Sequence, residues 1–408
     1  MIAGNSSYLK RRWNDFESFV EGVLYDRDLS ISARLFGLFL NPFSYLFRVV
    51  VWFRSYLYEN NFLLKRERLN ALVIVVGNLT MGGTGKTPVV ERLAKELQGQ
   101  GRKVAVLSRG YKSKEDEKKG FKKLFKGKDS EKSSPKVVSD GESVLLDSEE
   151  AGDEPYMLAN NLPGVVVVID KNRVDAGKIA IERYGVDALI LDDGFQYLAM
   201  KADMNLLLVD QMNPFGNRKL IPRGILREPV NSLSRATNVL ITKSEIEPQL
   251  ELLETIRKYN KNAEIIRCAH KPKFFREVNG NDTRNIRYLI EHYVGVFCGI
   301  ASPRGFENLV HQISGELRFK KRFLDHHKYT LDELERLFQK AKNSGVEVMI
   351  TTEKDAVRIP SDFNPPIPFY YVRMEIEIVE GYEDFNEAVR NYCRIFPVDL
   401  ASKVNAAA

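Results

Sequence analysis

The run Gly77-Asn-Leu-Thr-Met-Gly-Gly-Thr-Gly-Lys-Thr87 constrains the fold more than any other feature of the chain. It follows Ala71 to Val76 (ALVIVV), an uninterrupted apolar run that reads as a fully buried parallel strand. It opens a helix expected from about Thr87 to Gln98. Strand, glycine-rich turn and helix are the context a phosphate-binding loop requires. Glycines let backbone N–H groups turn toward phosphates, and the helix N-terminus adds partial positive charge. Lys86 is placed to reach the β and γ phosphates and Thr87 to ligate Mg²⁺. Thr80 stands where the strict G-x-x-x-x-G-K-[ST] pattern has its first glycine, but Gly82, Gly83 and Gly85 keep the loop free to turn. Thr80, Gly82, Gly83, Thr84, Gly85, Lys86 and Thr87 are therefore the candidate nucleotide-binding set. The alternative is a glycine-rich βα turn with a chance GKT.

Further apolar runs at Lys103 to Leu107, Val165 to Ile169, Ala188 to Leu191, Asn205 to Val209 and Val239 to Thr242 alternate with helical stretches. Buried strands alternating with helices predict an α/β fold with a largely parallel sheet of the P-loop NTPase type. The pattern loosens around Ile265 to Asn281. A second, smaller α/β unit follows, with strands near Tyr293 to Cys298, Glu347 to Thr351 and Phe369 to Val372 and an amphipathic helix over Leu331 to Asn343. Glu375 to Val379 alternates like a ribbon strand, and Tyr382 to Tyr392 reads as a closing helix. The expected organisation is an N-terminal helical segment (1–70), a phosphate-loop lobe (71–265), a linker (266–285), a second lobe (286–370) and a return strand with closing helix (371–408).

Charge is unevenly placed. The net charge is +6, of which Lys112 to Lys136 contributes +5, with ten Lys against five acidic residues. That stretch reads as a solvated surface insertion. The remainder is close to neutral, so the basicity is no argument for a nucleic-acid partner. Cys268, Cys298 and Cys393 are too far apart for a CxxC pair, which disfavours a disulfide scaffold or a thiolate zinc site.

Several clusters are chemically dense. Ala188-Leu-Ile-Leu-Asp192-Asp193 ends a buried strand in two carboxylates, where a P-loop needs its Mg²⁺ partner. The plainer alternative is a strand-terminal Asp capping a turn. Asp153, in Gly152-Asp-Glu-Pro155, is placed either as a helix N-cap or as a general base near the γ-phosphate. Pro222 to Pro229 carries Arg223, Arg227 and Glu228. Asp325-His326-His327 sets imidazoles beside a carboxylate, though a surface pair fits equally. Arg109 ends the second strand within reach of a phosphate.

The N-terminal 30 residues lack an apolar core and cleavage site of the signal-peptide kind. Leu35 to Leu64 is the most apolar stretch. Its longest uncharged run, Leu35 to Phe47, falls short of the roughly 20 residues a spanning helix needs. Aromatics such as Phe36, Phe39, Phe43, Trp52 and Phe53, flanked by Arg34, Arg48 and Arg54, suit either a buried helical hairpin or attachment at a membrane interface.

Taken together, VGNLTMGGTGKTPVVE (76–91), VLSRGY (106–111), GDEP (152–155), LDDGFQ (191–196), LREP (226–229), DHHKY (325–329) and TTEKDAV (351–357) resemble the tetraacyldisaccharide 4′-kinase family, in the family's order and over about residues 30 to 395. The resemblance implies transfer of the ATP γ-phosphate to the 4′-hydroxyl of an acylated glucosamine disaccharide 1-phosphate, the lipid A precursor. It implies two α/β lobes joined by a β-ribbon with the active site between them. It also implies peripheral attachment at the cytoplasmic face of a bacterial inner membrane, which favours the interfacial reading of Leu35 to Leu64. Carried over by motif, Asp153 resembles the catalytic carboxylate and His326 the histidine beside it. Asp192, Asp193 and Glu228 match acidic positions near Mg²⁺, and Arg109, Arg173 and Arg227 match phosphate or substrate contacts. The chain departs from the pattern at Tyr197, where His usually follows DDGFQ, at Arg223 and Ile225, and in the Lys-rich insertion. Competing readings are a GTPase switch, for which Thr242-Lys243-Ser244-Glu245 is a faint guanine motif with Glu in place of Asp, and a membrane adaptor with a vestigial loop.

Overall fold

The structure is a computed structural model and describes residues 16, 19–28, 30–110, 134–300 and 303–395. After a short helical stretch over residues 19–24 comes helix α1 (Ile31–Glu59). The first block then runs β1 (Leu72–Asn78), α2 (Lys86–Gly99), β2 (Val104–Ser108), β3 (Lys136–Asp140), α3 (Ser148–Ala151), α4 (Asp153–Asn161), β4 (Val166–Ile169), α5 (Arg173–Tyr184), β5 (Ala188–Asp192), β6 (Met204–Asp210), β7 (Asn238–Thr242) and α6 (Leu250–Tyr259). After β8 (Glu264–Glu277) come β9 (Thr283–Asn285), β10 (Tyr293–Cys298), α7 (Pro303–Ile313), β11 (Glu316–Arg322), α8 (Leu331–Asn343), β12 (Val348–Thr352), α9 (Glu353–Ala356), β13 (Phe369–Glu380) and α10 (Tyr382–Ile395).

Among the described residues all the strands join one sheet, ordered β11-β10-β12-β13-β8-β7-β6-β1-β5-β2-β4-β3, with β9 pairing β8. Strand β1 lies parallel between β5 and β6, which places the phosphate loop at the centre of the first block. Every residue of β1 is buried. The pleat sends Leu72, Ile74 and Val76 into one apolar core and Val73 and Val75 into another on the opposite face. A strand covered on both faces has no polar side to show, which is why ALVIVV carries no alternation. The second block repeats this on a smaller scale: Phe297 and Met349 face one core, Val296 and Ile350 the other.

The expected linker is a strand. β8 runs unbroken over Glu264–Glu277, pairs with β7 through its first residues and then runs antiparallel to β13 along most of its length. Its middle is only half buried and carries Lys271, Pro272 and Lys273, so no apolar run betrays it. The boundary placed at residue 370 falls inside β13, which joins Phe369–Val372 and Glu375–Val379 into one strand. This β8–β13 ribbon connects the two parallel blocks, and α10 returns to the first, burying Phe385 and Val389 against the core that also holds Val89 and Leu93 of α2. Helix α7 and edge strand β11 were not read from the sequence; β11 (ELRFKKR) is mostly exposed and its charges mask the strand pattern. The Lys-rich insertion lies outside the described residues apart from its end, where Lys136 opens β3.

Of the two readings of Leu35 to Leu64, the structure does not show a buried hairpin. α1 is a single 29-residue helix that continues through Pro42, N-capped by Ser30, whose hydroxyl accepts from the Ala33 N–H at 3.2 Å. Only Ala33, Gly37 and Ser44 are buried in it, whereas Leu38, Phe39, Leu46, Val49, Trp52 and Phe53 are exposed. By length and composition it can cross a membrane. Counting uninterrupted apolar residues understates the helix length, because Arg34, Arg48 and Arg54 divide the run without ending the helix.

Candidate active site

The phosphate loop lies between β1 and α2. Gly82 (φ 104°) and Gly85 (φ 79°) take left-handed backbone, and Gly85 is the residue immediately before the helix. Gly77 is needed for a different reason: a Cβ there would lie 2.7 Å from the backbone nitrogen of Phe195. Thr80, Thr84 and Thr87 are buried, and the loop is braced from β7 by the Thr242 hydroxyl, which donates to the Thr84 carbonyl at 3.0 Å. Lys243 donates to the Gly83 carbonyl at 3.4 Å and pairs with Asp210. The residues once weighed as a guanine motif thus support the loop.

Lys86 is held by the Asn78 side chain at 3.3 Å and the Asp193 carboxylate at 3.4 Å. Arg227 grips Asp193 with two hydrogen bonds, both 2.8 Å, and also contacts Asn78. Burial would raise the Asp193 pKa, but the hydrogen bonds from Arg227 and the Lys86 charge outweigh it and hold the carboxyl well below its usual range. Asp192 behaves oppositely: burial, then the charges of Glu154 and Asp193, push it upward. Ser108 donates to its Oδ2 at 3.3 Å, while its buried Oδ1 has no hydrogen-bond partner. An orphaned, proton-hungry carboxylate oxygen beside a P-loop suits a cation. The residues that would hold Mg²⁺ here are Asp192 and Thr87, with phosphate and water completing the shell. Among the described residues no three His, Cys, Asp or Glu side chains cluster to hold a metal by themselves.

Glu228, expected near the metal, pairs with a cation in this structure. Its buried carboxylate accepts from Arg235 at 2.5 Å, and Arg235 stacks on Phe195. Arg173 is buried, lies over the Tyr197 ring, and has its pKa lowered by burial and then by the like charge of Arg109. Two neighbouring guanidiniums, one with a buried Nε that has no hydrogen-bond partner, have the chemistry to hold an anion. Tyr197 holds the start of α5, donating to Asn172 Oδ1 at 3.0 Å. Arg223, another departure, donates to the Val23 carbonyl at 2.9 Å and Asp26 at 2.6 Å, tying the chain before α1 to the 220s loop. Ile225 is buried.

The second half of the site joins α4 of the first block to residues of the second. Gly152 (φ 87°), not Asp153, is the N-cap of α4. As the first residue of the helix, Asp153 turns its carboxylate outward, where Oδ2 meets His326 Nδ1 at 2.8 Å and Arg358 at 2.9 Å through Nε and 2.8 Å through Nη2. Burial raises the Asp153 pKa, but those hydrogen bonds outweigh it and the net shift is downward. Of the adjacent histidines, His327 is structural: it meets Glu333 at 2.6 Å and stacks on Phe323. Glu154 pairs with Lys354 and feels the charges of Lys86 and Asp193, so the first turn of α4 faces the phosphate loop as well as the second block. A cleft of about 870 Å³ opens beside Asp153, lined also by Tyr156, Arg276, His326, Lys328 and Arg358. That volume suits a sugar-sized acceptor.

Sequence reasoning missed Asn78, Lys354 and Arg358. Lys354 lies inside the TTEKDAV segment and Arg358 one residue after it, so the only available signal was their position in a matched motif.

A P-loop in a largely parallel α/β sheet, with an acidic strand end beside it and a His–Asp pair in a neighbouring cleft, has the parts of a phosphotransferase. The model of the tetraacyldisaccharide-1-P 4′-kinase family matches residues 36–394, and the chain belongs to that family. It is 33% identical over 393 residues to a tetraacyldisaccharide 4′-kinase of Halothermothrix orenii, covering 92% of this chain and 98% of that one. It is 36% identical to one of Anaeromyxobacter dehalogenans, covering 77% and 79%. Among solved structures it is similar to LpxK from Aquifex aeolicus in complex with ATP, with a TM-score of 0.67 and 28% identity, covering 86% of this chain and 97% of that one.

Proposed function

We propose that this kinase transfers the γ-phosphoryl group of ATP to the 4′-hydroxyl of a tetraacylated glucosamine disaccharide 1-phosphate, the lipid A precursor, at the cytoplasmic face of a bacterial inner membrane. The observation that carries the reading is the first turn of α4, where Asp153 meets His326 of the second block in one cleft while the adjacent Glu154 feels the charge of Lys86 on the phosphate loop. The ATP complex of the Aquifex relative supports ATP as donor.

Phosphoryl transfer asks the protein mainly for positioning and charge neutralisation. Lys86, now engaged by Asn78 and Asp193, is free to exchange those partners for β and γ phosphate oxygens. Mg²⁺, when bound at Asp192 and Thr87, would neutralise charge on the same oxygens. Asp153 accepts the proton from the acceptor hydroxyl, and His326 orients it. Arg109 and Arg173 take an anionic group of the acceptor. Helix α1 lays its exposed apolar side chains in the membrane interface, which brings the cleft to an acylated substrate.

The test is transfer of labelled γ-phosphate from ATP to tetraacyldisaccharide 1-phosphate with Mg²⁺ in detergent, with Lys86→Ala alongside. Labelled lipid that disappears in the variant supports the reading. Folded, nucleotide-binding protein that labels no lipid sinks it, and selective GTP binding would favour the switch instead.

A further inference from the structure

We propose that Arg358 is a positioning residue for the transfer: it keeps Asp153 ionised beside the ATP polyphosphate and occupies Oδ2, leaving Oδ1 as the oxygen that takes the acceptor proton. This rests on the reading of Asp153 as the base.

Three donors converge on one atom. His326 Nδ1 and both Nε and Nη2 of Arg358 lie within 2.9 Å of Asp153 Oδ2. The guanidinium is itself fixed. Its Nη1 donates to the Gly299 carbonyl at 3.1 Å and to Asp355 Oδ1 at 3.3 Å. Asp355 is fully buried and takes hydrogen bonds from the Gly299 N–H, the Tyr329 hydroxyl and the Thr352 hydroxyl, at 2.9, 2.9 and 2.6 Å. Arg358 is 6% exposed in its side chain and cannot swing away without breaking that platform. A guanidinium locked from behind and aimed at one carboxylate oxygen sets the orientation of the carboxylate as well as its charge.

The need for such a cation follows from the chemistry. Asp153 is largely buried, and ATP brings about four negative charges to the loop that faces α4. Both raise the pKa of a carboxylate, and a protonated Asp153 cannot accept a proton. Arg358 and His326 are the groups whose hydrogen bonds and charges oppose burial at Asp153. The other charged groups lining the cleft are mixed in sign: Asp147, Glu149, Glu277 and Glu353 against Arg276 and Lys328. Lys354, the nearest further cation on α9, is taken by Glu154. Asp355, on the far side of Arg358, is a second negative charge that the same guanidinium serves.

The experiment is the pH dependence of kcat for lipid phosphorylation by the full chain and by Arg358→Met, Arg358→Gln and Arg358→Lys. Removing the cation should shift the acid limb upward by about 1–3 pH units and lower kcat at pH 7 about tenfold or more. The KM for ATP should stay within about twofold. Arg358→Lys should restore most of the original profile, and Arg358→Gln should not, since it keeps hydrogen bonding without charge. In an Asp153→Asn background, Arg358→Met should cost no further turnover, because the two act as one unit. An unmoved acid limb in Arg358→Gln, or full additivity with Asp153→Asn, overturns the inference, and Arg358→Gln decides alone should Arg358→Met not fold. If Asp153→Asn keeps near-normal turnover, the base assignment itself fails, which is a different result from an unshifted profile in an enzyme that needs Asp153.

Discussion

Replacing Arg373 with methionine tests whether the two blocks are held in register by a buried ionic hub. Arg373 lies on β13, is 6% exposed, and donates to Glu91 of α2 and to Glu353 of α9. Asn161, at the end of α4, donates to the same two carboxylates at 3.0 and 2.8 Å. The hub therefore joins the helix behind the phosphate loop, the helix that carries Asp153 and the turn that leads to Arg358. Methionine keeps much of the volume and removes the charge, leaving two buried carboxylates with a single amide between them. Stranding a buried charge in this way costs about 3–5 kcal/mol, or roughly 5–10 °C in Tm for a chain of this size. The sign of the pH dependence is fixed by Glu353, whose pKa burial already raises. Without the guanidinium it rises further. A group with a raised folded pKa supports the fold fully below its unfolded pKa and loses that support as pH climbs, so the variant should be worse at pH 8 than at pH 5. Adding Glu91→Gln removes one stranded carboxylate and should recover part of the loss. The assay is thermal unfolding at both pH values, with lipid phosphorylation measured on the same samples. A loss below about 1 kcal/mol, the size of an ordinary surface change, would refute the hub, as would equal losses at both pH values.

Gly85→Ala would put a Cβ 2.2 Å from His270 Nε2 at a φ of 79°, so the loop must shift. The left-handed backbone alone costs about 1–2 kcal/mol, and calorimetry should show ATP affinity down about tenfold or more, with an unchanged Kd arguing against the described loop. His270 is held neutral, its pKa lowered to about 4 by burial and then by the Lys243 charge. The unfolded chain takes up that proton first, so stability should fall by up to about 3 kcal/mol as pH drops from about 6.5 to 4; His270→Gln should flatten this part of the curve, and an unaltered slope in denaturant melts would count against it. Leu38→Glu with Phe53→Glu on the exposed face of α1 should reduce co-sedimentation with anionic vesicles several-fold and leave ATP affinity unchanged; undiminished sedimentation would remove α1 as the attachment surface.

The sequence by itself determined the first half of the active site. ALVIVV, the glycine turn and GKT are consecutive, so strand, loop and helix follow from local periodicity and backbone freedom. Asp192 and Asp193 were legible for the same reason, as the last residue of a buried strand and the one after it. Legibility failed where charges interrupt a pattern without interrupting the backbone, as in β8, β11 and α1. Tertiary structure alone decided which residues complete the site. Asp153 meets His326 across 173 residues and Arg358 across 205, and Arg373 meets Glu91 across 282. Nothing local in those segments encodes such partners, because they are set by strand order, with the β8–β13 ribbon joining the two blocks in one sheet. Tertiary structure also paired Glu228 with Arg235, since the partner of a buried carboxylate depends on which cation the fold brings within reach.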